Sequence, residues 1–82
     1  MVSVMVDIQG FKEWLKVSKT YTPDVISDLG SRLKRADTIK EWVDDETYLF
    51  YLEKEESFKS LSVSVKSQLR RAVKLYAEYL KE

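Results

Sequence analysis

The chain has 82 residues with fourteen Lys plus Arg, fourteen Asp plus Glu, no His and no Cys. This length holds one domain around one small core. The missing His and Cys exclude Ser-His-Asp and Cys-His nucleophiles, zinc sites of the Cys/His kind, and any disulfide. Two Trp, five Tyr and three Phe at zero net charge argue against disorder, while two Gly and one Pro are too few for a many-turned β fold. No apolar run approaches the roughly 18 residues of a membrane span, and Met1–Val6 lacks the basic and hydrophobic regions of a signal peptide, so the cytoplasm is the expected compartment. The reading is a small soluble helical domain.

The elements follow from apolar spacing and caps. Helix one is expected over 8–18: Asp7 caps it, and Ile8, Phe11, Leu15 and Ser18 share one side, with Trp14 and Val17 widening the stripe. Gly10 sits in its first turn. Helix two is expected over 23–36. Thr22 is the cap, Pro23 suits the first helical position and Asp24 the positive end of the dipole. Val25, Ile26, Leu29, Leu33 and Ala36 make its apolar face, Gly30 interrupts it, and Asp37-Thr38 marks the stop.

Residues 38–43, with Ile39, Trp42 and Val43, are expected to form a short helical turn or an ordered connector over the core. Helix three is expected over 45–54, capped by Asp44 or Asp45, with Tyr48, Leu49 and Leu52 inward. A strand over Thr47–Leu52 is the competing reading, set aside because no partner strand is evident. Helix four is expected over 65–80, capped by Ser62 or Ser64. Its buried stripe is Val65, Leu69, Ala72, Val73, Tyr76, Tyr79 and Leu80. The result is an all-α, single-domain chain (residues 1–82), a compact four-helix bundle or orthogonal cluster.

The charge is segregated. Residues 1–40 hold seven bases and five acids, residues 41–57 hold seven acids against Lys54, and residues 58–82 hold six bases against Glu78 and Glu82. The acidic groups Asp44-Asp45-Glu46 and Glu53, Glu55 and Glu56 lack the alternating ligands and central Gly of a calcium loop. They read as a solvated face, and no metal site, phosphate loop or dinucleotide fingerprint is expected. At 100° per residue Lys66, Arg70, Lys74 and Lys81 form one exposed stripe on helix four, with Arg71 on the opposite flank. Arg32 and Arg35 share a side of helix two. Lys59, Ser62, Ser64 and Ser67 stand around the start of helix four, where hydroxyls and free amides suit phosphates. Ordinary solvated helix faces explain the same bases. Trp14, Trp42, Tyr76 and Tyr79 read as core; Phe50, Tyr51 and Phe58 cannot all be buried in so small a domain, so some are left to dock a partner.

Phe11-Lys-Glu-Trp-Leu15, Tyr21-Thr-Pro-Asp-Val-Ile26 through Leu29, Arg32 and Leu33, Tyr48 to Leu52, and Ser62 to Leu80 with Leu69-Arg-Arg71, Tyr76 and Tyr79-Leu80 make an ordered pattern. The pattern resembles the N-terminal core-binding domain of tyrosine recombinases, the phage-integrase type, over roughly residues 8–81. Leu29-Gly30 stands where that family usually has an aromatic. The resemblance implies a SAM-like helical fold and a non-catalytic DNA-binding module for DNA recombination and integration. In that family the catalytic Arg, His and Tyr lie in a second domain, so the chain itself is expected not to be an enzyme and to need no cofactor. It would be a piece of a longer recombinase or a stand-alone relative. By the same analogy helices two and four lie across double-stranded DNA, weakly when alone, with Lys19, Arg32, Arg35, Lys59, Ser62, Ser64, Lys66 and Arg70 near phosphates. A C-terminal catalytic domain or other protomers would be the protein partners, and no membrane is involved. The alternative is a SAM-like helical protein-interaction module without nucleic-acid binding.

Overall fold

A computed structural model describes residues 6–43, 45 and 47–81. Its elements are α1 (Ile8–Ser18), α2 (Pro23–Ile39), α3 (Tyr48–Lys54), α4 (Glu56–Lys59) and α5 (Val63–Leu80), with no strand among the described residues. The fold is all-α, and the segment read alternatively as a strand is helical. α2 packs on both α1 and α5, and α3 leads into α4.

Three helix starts follow from caps. The Asp7 carboxylate accepts from the Gly10 amide at 3.0 Å and opens α1. The Thr22 hydroxyl accepts from the Val25 amide at 3.5 Å, with Pro23 at the first position of α2. The Ser62 hydroxyl accepts from the Val65 amide at 3.3 Å, so α5 begins at Val63, two residues before the expected start.

Other boundaries differ from expectation. α2 runs on to Ile39 because its two stop residues are satisfied without breaking it. The Thr38 hydroxyl donates back to the Lys34 carbonyl at 3.0 Å, and the Asp37 carboxylate accepts from the Trp42 amide at 2.8 Å. Residues 40–43 are therefore an ordered connector without helix, held by that bond. α3 begins at Tyr48 and not at 45, because the Asp45 carboxylate closes a local turn, accepting from the Thr47 amide and hydroxyl, both at 2.8 Å. Asp44, the other expected cap, lies outside the described residues. Glu55 is extended (φ −68°, ψ 136°) and separates α3 from an unforeseen α4, whose Phe58 is buried.

The buried residues form one apolar cluster. Phe11, Leu15, Leu29, Leu33, Leu52, Phe58 and Leu69 are its largest fully buried side chains. Trp42 lies over it, 4.6 Å from the Tyr48 ring and 4.8 Å edge-on from Tyr76 (centroid distances), so the connector contributes to the core. Three expected inward positions face out: Val17 is 73% and Leu80 39% exposed, and Ser18 is exposed. Trp14, Tyr79, Val25, Val65 and Leu49 are half-buried against the cluster. Of the three aromatics that could not all be buried, Phe58 is inside, and Phe50 and Tyr51 are 55% and 52% exposed.

Candidate nucleic-acid interface

No charged residue is buried among the described residues, so the chemistry offered to a partner is that of the surface. Among them no cluster of carboxylates has the arrangement of a metal site, and no helix is long and apolar enough to cross a membrane.

The most basic surface runs along α5. Ser67, Arg70, Arg71, Lys74, Leu75 and Glu78 line one open groove. The helical period explains the set: residues 67, 71, 74 and 78 are spaced by four, three and four, and Arg70 lies one turn before Lys74. Arg70 and Arg71 thus flank the same groove, which corrects the placement of Arg71 on an opposite flank.

Each basic side chain is held differently. The Arg71 guanidinium lies 5.7 Å from the Tyr21 ring centroid and donates to the Tyr21 hydroxyl at 3.4 Å. The contact orients a cation without neutralising it. Lys74 is exposed and has no carboxylate partner among the described residues. Arg70 donates to the Glu53 carboxylate and sits 5.6 Å from the Phe58 ring centroid, so its charge is largely spent on tying α5 to α3. The groove's carboxylate, Glu78, accepts from the Lys19 ammonium at 2.8 Å, and Lys19 is also 5.4 Å from the Trp14 ring centroid. The acid at the end of the groove is thereby compensated.

The expected phosphate-contacting residues are not all brought together. Of the eight, Arg70 lines the groove and Lys19 reaches it through Glu78. Arg32 pairs with Asp28 on its own helix and Lys59 with Glu56, each at 3.9 Å. Such exposed pairs contribute about 0–1 kcal/mol and leave the cations open to exchange. Arg35 and Lys66 have no carboxylate partner among the described residues, and neither lines the groove. The Ser62 hydroxyl is occupied as a cap, and Ser64 is exposed in the first turn of α5. Arg71, Lys74 and Ser67 complete the groove. Spacing alone set Arg71 apart from Arg70 and Lys74, whereas the groove takes in all three, and Tyr21 beneath Arg71 is fifty residues away in the chain.

No family model, curated protein or solved structure matches the chain.

Proposed function

We propose that the chain is a non-catalytic module that binds duplex DNA through the exposed face of α5, on the phosphate backbone and without strong base preference. The observation that carries this reading is the pairing of Arg71 and Lys74 on one groove, neither compensated by a carboxylate, with Ser67 one turn before Arg71 and Glu78 already engaged by Lys19. Phosphate contacts of this kind fix register on DNA but carry little sequence information. The resemblance to the tyrosine recombinase core-binding domain supports the same partner. The balanced net charge sets the affinity: a lone module with few free cations binds weakly and gains from a neighbouring domain.

The test is a titration of labelled duplex DNA at several salt concentrations. Two to four phosphate contacts correspond to a slope of log affinity against log salt of roughly −2 to −4. Absence of binding at about 50 mM salt, where backbone contacts are strongest, contradicts the reading.

A second reading, a helical protein-interaction module, rests on Phe50 and Tyr51. Both are exposed, packed edge to face at 5.6 Å, with the Lys54 ammonium 4.1 Å from the Phe50 ring centroid. Sedimentation over a range of concentrations decides it: Phe50→Ser with Tyr51→Ser abolishes an association that depends on this patch.

A further inference from the structure

We infer that α1 and α2 form a second site, a cleft that takes a phosphate-type oxyanion between Lys12 and Lys34. The cleft has a volume of about 420 Å³ and is bounded by Ile8 and Lys12 of α1, Gly30, Ser31 and Lys34 of α2, and Val6 before α1. Asp37 is the one carboxylate on it.

Gly30 explains how Lys12 comes to lie there. It is buried in the middle of α2, where glycine costs about 1 kcal/mol relative to alanine. A Cβ at this position would stand 2.7 Å from Lys12 Cε and 3.6 Å from Lys12 Cγ. The aliphatic stem of Lys12 therefore lies across the bare helix backbone, which carries its ammonium onto the α2 surface that bears Ser31 and Lys34. Neither Lys12 nor Lys34 has a carboxylate partner among the described residues, and the Asp37 carboxylate is engaged by the Trp42 amide at 2.8 Å. Two ammonium groups and the Asp37 carboxylate, which keeps its charge while it accepts from Trp42, share a concave surface with apolar Val6 and Ile8 on one side, leaving a net positive charge that an oxyanion relieves. The Ser31 hydroxyl adds a neutral donor.

This site is built from helices other than α5 and stands apart from the reading of the α5 groove. The same oxyanion chemistry comes from a nucleic-acid backbone or from a free phosphate species, and the two are separated by experiment. In the first arm, inorganic phosphate is titrated into the whole chain while backbone amide resonances are followed, with chloride at matched ionic strength as reference. Saturable shifts centred on Gly30, Ser31 and Lys34 are expected. Lys12→Met keeps the stem over Gly30 and removes the ammonium. It weakens phosphate binding about tenfold, as does Lys34→Gln, the equivalent of one charge-assisted hydrogen bond each. Either variant serves if the other fails to fold. Equal shifts in chloride, or unchanged phosphate affinity in a folded variant, overturns the inference.

In the second arm, duplex DNA is added to the chain and to its Arg71→Ala, Lys74→Ala variant. Movement of the same three amides with DNA identifies a nucleic-acid source; movement with phosphate alone identifies a free phosphate species, and either outcome supports the site. Failure of the α5 reading appears separately, as DNA affinity that is unchanged in the α5 variant while the phosphate response persists.

Discussion

The Tyr76 hydroxyl accepts a hydrogen bond from the Asp7 amide at 2.8 Å, joining residues 69 positions apart. The Asp7 carboxylate in turn accepts from the Tyr79 hydroxyl at 2.9 Å and the Gly10 amide at 3.0 Å. The cap of α1 and the last turns of α5 are therefore one structure. These bonds hold the Asp7 carboxyl below its ordinary value of 3.8, the Gly10 amide contributing most and Tyr79 next. A carboxylate depressed in the folded state contributes stability that is complete above the unfolded value and is lost as pH falls through the folded one. Asp7→Ala is expected to lower stability at pH 7 and to flatten the acid limb of the unfolding curve below pH 4. A variant as acid-sensitive as the parent would contradict the coupling. Gly10 belongs to the same unit: a Cβ there collides with the Asp7 carboxylate and the Tyr79 hydroxyl, so Gly10→Ala is expected to destabilise despite the better helix propensity.

Thr20, just after α1, has φ 53°. This is the left-handed region where glycine ends helices at little cost and a β-branched residue is strained. Thr20→Gly is expected to stabilise by about 1 kcal/mol, raising the unfolding temperature by roughly 4–8 °C in a domain of this size. The thermal midpoint of the variant checks it.

Tyr48 is buried, and its hydroxyl donates to the Lys40 carbonyl at 2.6 Å and the Ala36 carbonyl at 3.2 Å. Burial, and then the negative charge of Asp37, push the phenol well above its ordinary value of 10.0. A raised folded value means that the contribution is complete below pH 10 and is lost as pH rises beyond it. Tyr48→Phe is expected to cost about 1 kcal/mol at neutral pH and to weaken the alkaline fall in stability. Denaturant unfolding between pH 7 and 11 reads both effects.

Gly30→Ala should separate fold from site. The atom in the way is Lys12 Cε, the far part of a flexible side chain, and a stem that swings aside lets α2 gain about 0.5–1 kcal/mol. Stability then rises while phosphate binding at the α1–α2 cleft falls. A rise in both would show that Lys12 does not need the bare backbone.

The helices were legible where a local rule and a tertiary need agreed. Asp7, Thr22 and Ser62 are polar residues ahead of apolar periodicity, and each caps as such residues do. Asp37 and Thr38 have the same chemistry at the end of α2, yet the helix continues, because Trp42 reaches back to one and Lys34 accepts from the other. That outcome depends on where Trp42 packs, which no window of sequence contains. α4 was missed for a similar reason: Glu55 breaks the chain without a Gly or Pro, and Phe58 is recognised as core only once the cluster around it exists. In the groove, residue spacing along α5 placed Arg70 and Lys74 on one stripe but set Arg71 on the other flank, and it gave none of their partners. Arg70 turns to Glu53 on α3 and Arg71 to Tyr21 before α2, so the two adjacent arginines differ in availability. Gly30 was readable as close approach or as tolerance; the stem of Lys12 across it is a tertiary fact.

The most direct test of the central claim is the salt dependence of duplex DNA binding for the parent chain and for Arg71→Ala, Lys74→Ala. Removing two phosphate contacts is expected to reduce the steepness of log affinity against log salt by about 1.8, with thermal stability preserved because both side chains lie at the surface. An unchanged slope and affinity in the folded variant, or no DNA binding by the parent at low salt, would contradict the assignment of the α5 groove.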